Sequence, residues 1–255
     1  MAAFRKRVFI SELLEEEELS ELVKIYHCGL ELIRFGVSEN LDHFQQTLDK
    51  EKKMLQRLGN PPVTLHGPFL DLNPMSFDSG IRRVTWERFH QAYLAGMELG
   101  AERIVFHSGM IPTVYYLEGW TERIADFFLE FLQEHRDIMV CMENVLDREV
   151  IPFLEVAESV TRENFGICLD IGHAHCYSAH SVLEWAEELQ PWVRHVHLHD
   201  NMGDRDSHLA LGEGNIPLES LLKVLDTGPA PVTWTIECST KEQVRKSLEI
   251  LKSCL

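Results

Sequence analysis

Several things are scarce in this 255-residue chain, and each scarcity removes a class of protein. No apolar run exceeds the length of a strand, so no segment reads as a membrane-spanning helix. The six cysteines (Cys28, Cys141, Cys168, Cys176, Cys238 and Cys254) form no CxxC pair. Without a signal peptide a disulfide framework is not expected, and Cys141 and Cys168 read as small core residues inside apolar runs. The start, MAAFRKRVFISELLEEEE, has a little basic charge but neither a long apolar region nor a cleavage site, so the expected compartment is the cytoplasm. Basic residues are the minority: 24 against 41 acidic ones leave a net charge of −17. A field of that sign repels polyanions and speaks against nucleic acid as a partner.

No low-complexity tract, linker or Pro/Gly-rich break interrupts the chain, so one domain over residues 1–255 is expected. What fills it is a single repeated alternation. Short β-rich runs occupy 7–11, 30–36, 63–67, 103–109, 138–145, 165–172, 193–200 and 232–238. Between them lie amphipathic stretches of helical period at 15–26, 41–59, 82–100, 121–135, 151–160, 181–192, 217–225 and 241–255. Gly59, Gly100 and Gly228 sit near the expected helix ends, where a residue free to take positive φ is favoured. Eight strand–helix units in one chain of this length predict an α/β fold, a (β/α)8 TIM barrel. A doubly wound sheet would usually carry a glycine-rich loop after its first strand, and none is present.

In such a barrel the reactive groups project from the C-terminal ends of the strands. Strand three is expected to end at His66 and strand four at His107. Glu143, Asp170, His197 and Glu237 lie at the ends of the next four, with His173 three residues beyond Asp170. Imidazole mixed with carboxylate suits Zn, Mn, Fe or Co better than Ca. The stretch HVHLHDNMGDRDSHLALGEGNIP (195–217) is densest in such groups. His195, His197 and His199 alternate, so all three share one face of a strand. If that face is inward, His197 is the ligand and His199 lies at the mouth as a substrate contact. Asp206 and His208 follow in the loop and are expected to form an outer metal- or substrate-binding element, with His173 as third ligand. The plain alternative is that the pair caps the next helix.

Other residues take plainer roles. His27, His43, His90 and His135 are expected on helix surfaces, and His175 and His180 are not expected to ligate. Trp86, Trp120 and Trp185 read as helix–barrel packing, with pocket lining the alternative for Trp120. Arg205 is either a contact for a substrate carboxylate or phosphate or a surface arginine.

The segments LHGPFLDLNP, VFHSG, MENV, LDIGHAH, HLHDN, DSHLALGEGNIP and TIEC together resemble the xylose-isomerase-like TIM-barrel superfamily, from about residue 30 onward. That superfamily includes sugar (phosphate) isomerases and epimerases, and also endonuclease IV. The ketose 3-epimerase-like layout implies one divalent metal on Glu143, Asp170, His197 and Glu237, with the two glutamates as the acid–base pair. The endonuclease IV-like layout implies three zinc ions on His66, His107, Glu143, Asp170, His173, His197, Asp206, His208 and Glu237. HLHDN stands where endonuclease IV-like chains tend to have HLNDSK, and no loop offers the wedge residues of a protein that kinks DNA. The expected function is therefore a divalent-metal-dependent isomerase or epimerase acting on a small polyhydroxy carbonyl substrate, phosphorylated or not, with Glu143, Glu237 and His173 as catalytic residues. Its metal is Mn, Zn, Co, Fe or Mg, one inner ion with room for up to three. The alternative is an endonuclease IV-like phosphoesterase. A homo-oligomer is left open.

Overall fold

The computed structural model describes residues 7–254. Eight strands, β1 (Val8–Ser11), β2 (Gly29–Leu32), β3 (Val63–His66), β4 (Ala101–His107), β5 (Met139–Glu143), β6 (Phe165–Asp170), β7 (Val193–Leu198) and β8 (Thr233–Ile236), form a closed barrel in which neighbours in sequence are neighbours in space. All pairs are parallel, and β8 closes on β1. The helices are α1 (Glu16–Tyr26), α2 (Ser38–Asp42), α3 (Phe44–Arg57), α4 (Ser79–Leu99), α5 (Trp120–Glu134), α6 (Ile151–Ser159), α7 (Ile171–Tyr177), α8 (Val182–Leu189), α9 (Leu218–Asp226) and α10 (Lys241–Cys254). The TIM barrel expected from the alternation is the observed fold. Among the described residues no helix is long and apolar enough to cross a membrane.

Local chemistry explains where the elements stop. Asp78 caps α4 by accepting from the N–H groups of Gly80 and Ile81, and Ser181 with Glu184 forms a capping box on α8. Glu16, Glu17 and Glu18 stand in the first turn of α1, where the helix dipole favours negative charge. Gly100 ends α4 at φ 69°, and Gly59 takes φ 85°; Gly228 is not among the residues of positive φ. The run expected as a strand over 165–172 ends at Asp170, whose Oδ1 accepts from the His173 N–H (2.7 Å) and so starts α7. The expected strand at 30–36 stops at Leu32 and continues as a 3₁₀ turn, Arg34–Gly36, and the helix expected at 41–59 divides at His43.

The barrel–helix layer is aromatic. Phe89 stacks on Phe106 at 3.8 Å, and Phe127 and Phe131 meet Phe89 edge-on. Trp120 and Trp185, both buried, flank Phe153, so Trp120 packs against the helix layer. His135 differs from the surface position expected of it. It is buried, with Nδ1 donating to the Phe131 carbonyl (2.6 Å) and Nε2 meeting His90 Nδ1 at 2.7 Å. Those bonds satisfy both ring nitrogens, which makes an interior imidazole tolerable between α4 and α5. His27 and His43 are exposed, as expected.

Strand register positions the site. His107 pairs with Glu143, and Asp170 pairs with His197, so donors from adjacent strands stand side by side at the C-terminal rim. One layer deeper, β2 brings Glu31 beside Thr64, and β7 brings His195 beside Thr233.

Candidate metal centre

The inner group gathers on His197. Its Nδ1 lies 3.2 Å from Glu143 Oε1, 3.5 Å from Glu237 Oε1 and 3.9 Å from Asp170 Oδ2. All four residues are buried, although they come from strands spread around half the barrel. The other oxygen of Glu143, Oε2, faces His66 Nε2 at 3.3 Å and His107 Nε2 at 3.4 Å. His66 donates from Nδ1 to the Gly67 carbonyl (2.9 Å), which turns Nε2 toward that carboxylate.

An outer group adjoins it. His173 donates from Nδ1 to the Asn144 carbonyl (3.0 Å), and its Nε2 lies 3.3 Å from Asp206 Oδ2. His208 donates from Nδ1 to the Glu237 carbonyl (2.7 Å), and its Nε2 lies 3.1 Å from the same Asp206 oxygen. Two anchored imidazoles thus converge on one carboxylate. The loop that carries the pair is tied down by Asp200, which bridges Leu209 through backbone hydrogen bonds and accepts from Gly212 and Ile216. Asp206 and His208 therefore stand over the rim and cap no helix; α9 starts at Leu218 behind Pro217 with no side-chain cap.

His199 is placed otherwise than expected. It does not reach the mouth, because the Asp200–Leu209 bridge folds the loop back over the strand end, and its ring is fully buried. Its Nε2 is 3.1 and 3.2 Å from the two Asp170 oxygens, and its Nδ1 is 3.5 Å from Asp206 Oδ1. The ring stacks on His208 at 3.8 Å. Parallel faces at that spacing cannot both aim in-plane lone pairs at one ion, so His199 backs the outer trio of His173, Asp206 and His208. Gly172 makes room for it, since a Cβ there would collide with the imidazole.

Electrostatics in this space are strongly perturbed. Burial alone would raise Glu143, yet the imidazoles of His197, His107 and His173 outweigh it and hold the carboxyl well below its ordinary range. Glu237 moves the opposite way: burial raises it, and Glu143, Asp170 and Glu31 add to the rise against His197. Burial lowers His107 to about 3. Burial likewise opposes charge on His208, but Asp206 overrides it and lifts the imidazole to about 9.

Unpaired buried atoms test whether these residues fit a cation. Glu143 Oε2, His197 Nε2, Glu31 Oε1, His199 Nδ1 and Asp206 Oδ1 are all buried without a hydrogen bond. Each such atom costs about 1–3 kcal/mol, and five in one place is far above what a packed core carries. His66, His173 and His208 all give Nδ1–H to a backbone carbonyl and present Nε2 inward, the anchoring that metal-binding histidines use. Groups within mutual ligand reach include His66–Glu143–His197, Glu143–Asp170–His173 and His173–His199–Asp206–His208. The donor set fits one or more divalent ions.

All nine sequence-predicted donors stand in this one region, while Arg205 is exposed, His175 meets Asn215 and His180 meets Glu149. Sequence reasoning missed Glu31. Phe69 also escaped it: its ring stacks on His107 at 4.9 Å and meets His66 edge-on at 5.3 Å, walling one side of the centre.

Fold and site together define an α/β barrel whose C-terminal rim carries buried imidazoles and carboxylates. The chain belongs to the xylose isomerase-like TIM barrel family, whose model matches residues 24–254. An uncharacterised protein of Methanocaldococcus jannaschii, MJ1311, is 35% identical over 209 residues, 76% of this chain and 70% of that one. Among solved structures, a D-tagatose 3-epimerase-like protein superposes with a TM-score of 0.79 at 26% identity, over 97% of this chain and 96% of that one. The TTHB071 protein of Thermus thermophilus, soaked with ZnCl2, gives a TM-score of 0.79 at 24% identity over 97% of each chain.

Proposed function

We propose that this protein is a divalent-metal-dependent isomerase or epimerase of a small polyhydroxy carbonyl compound. One observation carries the reading: Glu143 and Glu237, from strands that are not neighbours, both face Nδ1 of His197, at 3.2 and 3.5 Å. Two carboxylates at one point supply what a proton transfer across a carbon centre needs, one group to remove the proton and one to return it. The 26% identity to a D-tagatose 3-epimerase-like protein supports a sugar as the substrate.

Glu143, Asp170, His197 and Glu237 would hold the inner ion, drawn from Zn, Mn, Co, Fe or Mg. When bound, that ion polarises the substrate carbonyl and a neighbouring hydroxyl and acidifies the C–H between them. Glu143 or Glu237 takes that proton, giving an enediolate, and the other glutamate delivers one to the opposite face. Each acts through an oxygen not engaged by the cation, since coordination lowers basicity. His173, anchored on the Asn144 carbonyl, orients a substrate oxygen. Phe69 and the covering loop of Asp200 narrow the access of water to the enediolate.

A second reading has its own observation. His173, Asp206 and His208 adjoin the inner group, together with His66 and His107, as a phosphoesterase with a zinc cluster would arrange them. The net charge of −17 weighs against a polyanionic substrate.

The deciding experiment is solvent-deuterium incorporation. The purified protein, its metal content measured, is incubated in deuterated water with a panel of ketoses and ketose phosphates. Incorporation at the carbon beside the carbonyl, abolished by a chelator, is the expected result. Three zinc ions per chain with phosphodiester hydrolysis and no incorporation would overturn the isomerase reading.

A further inference from the structure

Glu31 stands on β2 in the short run GLEL, fully buried inside the barrel. An ionised carboxylate at that depth costs several kcal/mol unless its lone pairs are all met. Here they nearly are. Oε2 accepts from Thr64 Oγ1 at 2.8 Å, Thr235 Oγ1 at 3.0 Å and His195 Nε2 at 2.8 Å. Oε1 lies 2.9 Å from Nε2 of His197. Since β2 and β7 are not neighbours, both imidazole contacts cross the barrel lumen.

We infer that Glu31 is the positioning residue of the metal centre: it holds His197 through Nε2 and thereby commits Nδ1 to the ion. The inference rests on the metal-centre reading proposed above. Its ground is the state of two atoms. Glu31 Oε1 and His197 Nε2 are both buried, neither has another hydrogen bond, and they face each other at 2.9 Å without the N–H lying along the line between them. A carboxylate on the far nitrogen fixes the tautomer and the ring orientation and raises the basicity of the near one. His195 has a supporting part. Its Nδ1 meets Thr233 Oγ1 at 2.6 Å and its Nε2 meets Glu31, so it pins the carboxylate from the side away from the ion.

The test uses zinc and the full-length chain. Glu31→Gln should weaken zinc binding roughly 10- to 100-fold at unchanged stoichiometry of the folded protein, measured by competition with a chromophoric chelator. Thr64→Val removes one donor from the same carboxylate and leaves the carboxylate itself in place, so it should weaken zinc binding by less than Glu31→Gln does. Zinc affinity of Glu31→Gln equal to wild type would overturn the inference. Should Glu31→Gln fail to fold, side-chain nitrogen NMR of the wild-type apoprotein decides. A proton on Nε2 of His197 supports the inference, and a bare Nε2 refutes it. Wild-type protein that binds no zinc, manganese or cobalt would defeat the proposed function instead, and the tautomer would still decide the role of Glu31.

Discussion

Nε2 of His173 lies 3.3 Å from Asp206 Oδ2, while Nδ1 of the same ring lies 3.5 Å from Glu143 Oε1. One imidazole therefore touches the outer carboxylate with one edge and the inner one with the other. Inner and outer groups are joined in one buried electrostatic unit, so a change in either is felt across His173. Burial opposes charge on that ring, but Asp170, Asp206 and Glu143 outweigh it and raise it well above the ordinary range for histidine.

Glu143→Gln should abolish nearly all turnover and leave unfolding cooperative. Met139–Glu143 owes its place to apolar residues packed on both faces, and the carboxylate adds chemistry at the strand end. Loss of a general acid or base costs about 10²–10⁴-fold in rate. Metal affinity should fall modestly, since an amide oxygen still coordinates weakly. Turnover within a few-fold of wild type would remove Glu143 from the proton transfer.

Gly172→Ala should act through packing, at a residue that is itself no ligand. The added methyl group meets the His199 ring, which is packed between Asp170 and His208 and cannot retreat without breaking the Asp170 contact. Overpacking of this kind costs about 1–3 kcal/mol. Urea unfolding of the apoprotein reads it directly, and a midpoint equal to wild type would show that His199 has somewhere else to go.

How much of this was legible beforehand follows from which interactions are local. Strand-end donors such as His66, Glu143 and Asp170 were legible because each closes an apolar run. Asp206 and His208 were legible because one intervening residue in a loop lets two side chains face one point. Glu31 was not. In GLEL a single carboxylate between leucines fits the solvent side of a strand equally well, and only barrel closure shows that it shares the lumen with His195 and His197. His199 was half legible. Alternation put it on the face of His197, but its burial depends on the antiparallel bridge between Asp200 and Leu209, which has no local signature. His135 was misjudged because its partner, His90, comes from a different helix.

Away from the centre, Arg34 Nε sits between two buried carboxylates, 2.6 Å from Glu12 and 2.8 Å from Glu51. One guanidinium cannot neutralise both. Burial first, and then Glu12, push Glu51 up to about 8 from an ordinary 4.5. An acid whose pKa is raised on folding binds its proton more tightly in the native state, so stability falls as pH rises from about 4.5 through about 8. Glu51→Gln should flatten that slope, melting above wild type at pH near 8 and not below pH 5. Parallel melting curves across the range would exclude this assignment.

The double substitution Asp206→Ala with His208→Ala separates the outer group from the inner one. In the native chain the pair holds itself together at 3.1 Å, and His208 is anchored on the Glu237 carbonyl. Neither residue contributes to the β-barrel ladder, so the fold should survive. Asp206 is one of the carboxylates that keep His173 charged in the apoprotein, and its loss leaves Nε2 of His173 without a partner. If the outer trio binds an ion, the double variant should lose that ion alone. The ligands around Nδ1 of His197 should stay filled, with weakened affinity because His173 also faces Glu143. If the trio instead grips substrate, metal content stays constant and KM rises while kcat moves less. Metal analysis and steady-state kinetics on the same preparation distinguish the two. Unchanged metal content together with unchanged kcat and KM would refute any functional role for the loop, and would leave its pairing with His173 as a device of folding alone.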